Sequence, residues 1–261
     1  MRAVALHADV VHVASVPWQT SCTLVKHGGE AFCIDSPVLP EELDVLPRLA
    51  EQGGFIVVGL LATHVDWDHV LGGYAFPEAP LGCAESSARA LHDRPGDQQR
   101  ELREFDEQWY VERPRPLQLP PPQPLPVPGH CALGGAELEL HEATGHTDDG
   151  MAIRIPWAGV LVCGDYLSPL ELPMLNPSGE AGAYLATLQR LEPLVEAATW
   201  VVPGHGPPLD SSRAAAILRE DRAYLEALRE GRDAPLPLAR RSAEQRKVHA
   251  NNLEHVRGAA G

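Results

Sequence analysis

With 261 residues, 44% of them hydrophobic, the chain can bury a large core, which excludes wholesale disorder. A formal charge of −15 at pH 7 lacks the basic footprint of a protein that wraps a nucleic-acid backbone, so nucleic acid is not the expected partner. No stretch approaches the roughly 18 uninterrupted apolar residues of a membrane span, and Met1 to Ser15 does not read as a secretory leader, so no membrane partner is expected. Cys22, Cys33, Cys83, Cys131 and Cys163 are dispersed, odd in number and form no CxxC pair, which predicts reduced, buried thiols and a cytoplasmic protein.

In chain order, Val10 to Ser15, Cys22 to Lys26 and Ala31 to Ile34 are rich in β-formers and read as strands, with His27-Gly28-Gly29 turning between the last two. Leu43, Leu46 and Leu49 recur at helical spacing within Pro40 to Gln52, and Gly53-Gly54 ends that helix. Phe55 to Ala62 is an apolar run of strand length, the pattern of a strand covered on both faces. Glu85 to His92 and Asp97 to Val111 read as helices. Eight prolines between Arg113 and Gly129 predict an extended surface connector that supplies no ladder hydrogen bonds. Ala136 to His141, Ala152 to Pro156 and Gly159 to Cys163 are strands again. A helix over Glu180 to Ala198, a strand over Trp200 to Val202 and a helix over Ser211 to Glu230 follow. The last helix runs from about Ala239 to Val256, after Pro235 and Pro237. Two β-then-α halves meet at the connector, an order that suits two packed sheets with helices outside. The division expected is a catalytic domain over 1–232, containing the proline-rich connector at 113–130, and a C-terminal helical extension over 233–261.

The apolar run ending at Ala62 leads straight into His64-Val65-Asp66-Trp67-Asp68-His69. Past the C-terminal end of a buried strand is where α/β sheets bind ligands, and imidazole with carboxylate is a donor set for zinc, iron or manganese. Three further strands end in Thr144-Gly145-His146-Thr147, Cys163-Gly164-Asp165 and Pro203-Gly204-His205-Gly206. Each presents a possible ligand beside a glycine that lets backbone approach closely. Convergence of such loops points to one polar cleft rather than to packing.

The order HxDxDH, TGHT, GD, PGHG resembles the metallo-β-lactamase superfamily, including its glyoxalase II-like hydrolases, over about residues 10 to 210. The resemblance implies an α/β fold, a four-layer αββα sandwich of two mixed β-sheets flanked by helices, with metals in a groove where the sheets meet. It implies two divalent ions, zinc first, with iron or manganese as alternatives. One ion would take His64, Asp66 and His146, the other Asp68, His69 and His205, and Asp165 would bridge them together with a water or hydroxide. The departure is Asp66, where the usual motif, HxHxDH, has His; a carboxylate hardens that shell toward iron or manganese. The function implied is a metal-dependent hydrolase, in which a bridging hydroxide oriented by Asp68 cleaves a small ester, thioester, lactone or amide. The alternatives are a phosphodiesterase or nuclease on the same ions, suggested by Asp66, and an iron-dependent redox member of the fold.

Around these ligands, Asp35 reads as a turn cap or as support for a ligand loop. Asp148 and Asp149 read as bonding a ligand histidine or capping the turn. Trp67 is expected to anchor its loop by burial. Tyr166, next to Asp165, is a candidate substrate contact. Arg240, Arg241, Arg246 and Lys247 make the C-terminal segment the most basic part of the chain; it reads as a solvated helix face, with a flap that recruits an anionic substrate as the alternative. The partner expected is a small-molecule substrate, and oligomeric state is not legible.

Overall fold

Alternation along the strands decides the layering. In the hairpins of the first half, every second residue turns to one face, so Val10, Val25, Ile34 and Leu61 share one apolar cluster while Val13, Leu24, Cys33 and Leu60 share another. The computed structural model describes residues 1–232, 234 and 236–259. Its first sheet has seven strands in chain order, β1 (Arg2–His7), β2 (Val10–Ala14), β3 (Ser21–His27), β4 (Glu30–Ile34), β5 (Val57–Leu61), β6 (Leu81–Ala84) and β7 (Gln123–Leu125). Tight turns make β1 to β4 antiparallel. Longer crossovers make β4 to β7 parallel, as chain connectivity requires.

The second sheet contains β8 (Gly129–Leu133), β9 (Ala136–Glu142), β10 (Met151–Ile155), β11 (Val160–Val162), β12 (Trp200–Val202) and β13 (Leu209–Asp210), paired in the order β13-β12-β11-β10-β9-β8. Leu138, Leu140, Met151, Ile153, Val160 and Val162 face the first sheet and join its inner residues in one core. The outer face of the first sheet is covered by α1 (Pro40–Gln52) and α3 (Glu85–Asp93), through Leu46, Ala50 and Ala90. The outer face of the second is covered by α5 (Ala181–Ala197) and α6 (Ser211–Arg229), through Leu188, Leu191, Ile217 and Leu218. The expected αββα sandwich is therefore the observed architecture. A short α2 (Gly72–Ala75) and the longer α4 (Asp97–Trp109) lie beside the first sheet. Among the described residues, no helix is long and apolar enough to cross a membrane.

Three expectations are corrected. The proline connector does supply ladder hydrogen bonds, because Gln123–Leu125 forms β7 parallel to β6, with Pro124 opposite Cys83. Proline is tolerated there because β7 is an edge strand, where one row of backbone groups needs no partner. The last helix, α7, starts at Ala243 rather than Ala239, after a 3-10 turn at Leu238–Arg240, and runs to Ala259. Its Val248, Leu253 and Val256 pack against the cluster under α5 and α6. Pro235, expected just before this helix, and residues 233, 260 and 261 of the expected extension lie outside the described residues. Four cysteines are buried as expected, but Cys131 is only partly so.

Candidate metal centre

Each of the four sequence motifs leaves a strand end on the same edge of the sandwich. β5 delivers Thr63 and His64, and a 3-10 turn at Trp67–His69 wraps Asp66, Asp68 and His69 back toward the strand. The turn between β9 and β10 carries His146, the segment after β11 carries Asp165, and the segment after β12 carries His205. Backbone bonds lace these loops together. Met151 N–H reaches the Thr63 carbonyl at 2.6 Å, Gly204 N–H the Gly164 carbonyl at 2.5 Å and Ser21 N–H the Gly204 carbonyl at 2.7 Å. Only glycine fits at 204, where a Cβ would sit 2.0 Å from Asp165 Oδ1. Gly145 is held at φ +122°, and its Cβ would lie 2.1 Å from the Tyr184 backbone nitrogen.

The imidazoles are aimed by what holds their Nδ1 atoms. Thr63 Oγ1 lies 3.2 Å from Nδ1 of His64, Asp35 Oδ2 3.1 Å from that of His69, the Met174 carbonyl 2.8 Å from that of His146, and Thr20 Oγ1 3.4 Å from that of His205. All four Nε2 atoms therefore turn inward, onto Asp165. Its carboxylate lies 3.1 Å from His69 Nε2, 3.2 Å from His146 Nε2, 3.3 Å from His205 Nε2 and 3.8 Å from His64 Nε2. Asp66 Oδ2 stands 3.4 and 3.6 Å from Nε2 of His146 and His64, and Asp68 Oδ2 stands 3.6 and 3.8 Å from Nε2 of His205 and His69. Donor atoms thus gather into overlapping groups that can hold a metal ion: His64 with Asp66 and His146, Asp68 with His69 and His205, and His64 with His69 and Asp165.

The cluster is unsatisfied by itself. His64 Nε2, His69 Nε2 and Asp165 Oδ1 are buried without a hydrogen-bond partner, a costly state for polar atoms unless something else occupies the space between them. The electrostatics have the same origin. Burial would raise the Asp165 carboxyl and lower the histidines, but the mutual attraction wins. His205, His69 and His64 hold Asp165 well below the usual carboxylate range. Asp66 is likewise held down, by His146 and His64, against burial. Against burial too, Asp68 and Asp165 raise His69, and Asp165 and Asp66 raise His146. His205 is pushed up to about 9, with Asp165 outweighing desolvation. Such a carboxylate-rich nest stabilises positive charge, whether protons or metal ions.

Supporting residues partly follow the sequence reading. Asp35, at φ +56°, does more than cap a turn: its Oδ1 accepts from Thr63 N–H at 2.8 Å and its Oδ2 from the Thr63 hydroxyl at 2.9 Å. Asp149 accepts from Val65 N–H at 3.2 Å and from the Ser87 hydroxyl at 2.6 Å, whereas Asp148 pairs with Arg94 at the surface. Trp67 packs on Phe105 with ring centroids 4.9 Å apart and also lines the open groove. Tyr166 is not a groove residue. It is buried behind the site, its hydroxyl accepting from His146 N–H at 3.2 Å. Sequence reasoning misses Asn176; its Nδ2 donates to Asp66 Oδ2 at 2.7 Å, and no motif marks it because a coil segment far along the chain delivers it. The groove over the donor atoms is a cavity of about 300 Å³ that includes Trp18, Glu101, Glu171, Met174, Asn176 and Val248. The terminal helix does reach it, but through Glu244, Gln245 and Val248. Arg241, Arg246 and Lys247 are exposed and not among the groove residues, as a solvated face requires, whereas Arg240 is buried against Asp221; the alternative of a basic flap is not what faces the cleft.

Residues 15–205 match the sequence profile of the metallo-beta-lactamase superfamily. Among solved structures, the metallo-beta-lactamase family protein TTHA1429 from Thermus thermophilus superposes with a TM-score of 0.69 at 22% identity, covering 98% of this chain and 95% of that one. The stereoselective inverting sec-alkylsulfatase Pisa1 from Pseudomonas sp. gives 0.72 at 16% identity over 97% of this chain, which spans only 49% of the sulfatase. TTHA1623 in a di-iron-bound form gives 0.60 at 23% identity, covering 78% and 96% of the two chains. No curated protein matches the sequence. At these identities the structural neighbours speak for the fold alone, but the profile runs through all four strand-end motifs, and the chain belongs to the metallo-beta-lactamase superfamily.

Proposed function

We propose that the protein is a dinuclear metal-dependent hydrolase acting on a small ester, thioester, lactone or amide. The observation that carries this reading is the set of inward-turned, unpartnered atoms on His64, His69 and Asp165 at the foot of an open groove. That donor set fits divalent ions. His64, Asp66 and His146 would hold one, Asp68, His69 and His205 the other, and Asp165 would serve both. Zinc is the first choice, and Asp66 keeps iron or manganese open, a choice supported by the di-iron neighbour. When bound, such ions lower the pKa of a water and polarise the group to be cleaved.

The chain's own part is positional. Asp35, Thr63, Thr20 and the Met174 carbonyl fix the four imidazole rings, so the site needs little rearrangement. Asp68 lines the groove, where it would accept a hydrogen bond from the attacking water. Asn176 donates to Asp66, holding that carboxylate toward His146. Trp18, Trp67 and Met174 offer apolar surface to a bound acyl or leaving group. Residues 1–232 would form the catalytic unit, closed on one side by the terminal helix. Free thiols accord with a cytoplasmic setting.

Elemental analysis of purified protein, paired with a panel of ester, lactone, thioester and phosphodiester substrates, tests the proposal. Two ions per chain with turnover of an acyl substrate is the expected result. Metal content well under one per chain after reconstitution overturns it. A phosphodiester preferred over every acyl substrate would transfer the reading to the nuclease alternative.

A further inference from the structure

Outside the groups assigned to the ions, the charged side chains of the groove all have one sign. Glu101 enters from α4, Glu171 from the segment after β11 and Glu244 from the first turn of α7, while no Lys or Arg lines the cavity among the described residues. Two guanidiniums touch groove residues from outside the cavity. Arg100, exposed, donates to Asp97 at 2.5 Å and to Glu101 at 3.3 Å, so it offsets the Glu101 charge in part. Arg240 donates to the Glu171 carbonyl at 2.9 Å, and its charge is met by Asp221 and by Glu220 at 2.9 Å. Glu171 uses its backbone N–H on the Ser168 hydroxyl and its carbonyl on Arg240; its side chain is half-buried, and its carboxylate accepts no hydrogen bond from any described residue. The bond from Leu172 N–H to Gln245 Oε1, 2.7 Å, sets Glu171 and Glu244 side by side on neighbouring segments.

Two divalent ions would outweigh Asp66, Asp68 and Asp165 by a single charge. Glu171 and Glu244 alone reverse that, so the loaded groove stays negative toward an incoming group, and a partly enclosed site is screened less than an open surface. An anion would have to pass or displace these carboxylates, whereas a cation gains from each. The groove also offers Trp18 and Trp67, with ring centroids 6.0 Å apart, and aromatic faces attract alkylated ammonium groups.

Resting on the hydrolase reading, we propose that this site takes a cationic substrate, an ester, thioester or amide whose acyl or leaving part carries an alkylammonium group, with Glu171 and Glu244 meeting the charge and Trp18 and Trp67 the carbon surface. The test uses metal-loaded protein and three thioacetates of similar size: acetylthiocholine, its neutral isostere S-(3,3-dimethylbutyl) thioacetate, and S-acetyl-3-mercaptopropionate. Calorimetric titration with choline and with 3,3-dimethylbutan-1-ol runs alongside. Acetylthiocholine should exceed the neutral isostere by about tenfold or more in kcat/KM, mainly through KM, with the anionic ester last. Glu171→Gln and Glu244→Gln, each checked for fold and metal content, should shrink that ratio and weaken choline binding. Glu244 is exposed, so its variant keeps the test valid if Glu171→Gln fails to fold. Turnover with the neutral or anionic ester preferred overturns the cation preference and leaves the hydrolase reading standing. Glutamate-dependent choline binding without cleavage of any ester overturns the hydrolase reading instead. Neither binding nor turnover overturns the preference.

Discussion

Asp165 and Asp66 differ in what their removal leaves behind. The Asp165 carboxylate faces all four inward imidazoles, whereas Asp66 faces only His64 and His146. Asp165→Ala should therefore empty the site, while Asp66→Ala should keep about one ion, still held by the remaining donors. Metal content and residual activity measured together check this; equal losses in the two variants would contradict the shared role of Asp165. Asp35 acts one step further out, through His69 Nδ1 and Thr63. Asp35→Asn keeps the volume but weakens the acceptor that aims His69, and metal affinity should fall about 10- to 100-fold. Competition with a chelator measures it, and unchanged affinity would mean that packing alone orients the ring.

At the scale of elements, α7 grips the segment behind the donor cluster through Asn252. Asn252 is fully buried; its Oδ1 accepts from Leu175 N–H at 3.0 Å and its Nδ2 donates to the Pro173 carbonyl at 2.6 Å and to the Tyr224 hydroxyl at 3.1 Å. The segment it grips also carries the Met174 carbonyl on His146 and Asn176 on Asp66. Asn252→Ala would leave those backbone groups buried without partners, at a cost of about 1–3 kcal/mol. The expected outcome is a lower denaturation midpoint together with weaker metal binding. A stability loss with metal affinity intact would show that α7 supports the core but not the site.

For the whole molecule, the proposed metal ions would compete with protons for one nest of donors. In the metal-free protein His205 has its pKa raised from 6.5 to about 9, so its pairing with Asp165 stabilises the fold fully below about 6.5 and is lost as pH rises through about 9. That gap corresponds to something on the order of 3 kcal/mol. Ion binding runs the other way, because the imidazoles must give up their protons first. The difference in Tm between metal-loaded and metal-free protein should thus widen from pH 6.5 to 9, with proton release on metal addition greatest at the lower end. A constant difference across that window would separate the histidine cluster from the ions.

Much of the site was legible because its chemistry is local. HxDxDH lies within six residues, and each remaining donor ends a strand whose apolar run is visible in the sequence; α1 and β12 fall where the periodicity and β-formers put them. Weak or broken patterns hid the rest. Short β6 and β13 carry too few residues to show alternation, and β7 lies inside a proline run that only an edge position tolerates. The sequence by itself determined the family, the layering and which His and Asp side chains gather at one edge, since residue type and strand-end position are properties of short segments. Only the tertiary structure decided that Tyr166 turns away beneath His146, that Asn176 holds Asp66, and that α7 presents Glu244 rather than its basic residues to the groove. Those outcomes depend on how segments far apart in the chain are rotated against one another, which no local pattern encodes.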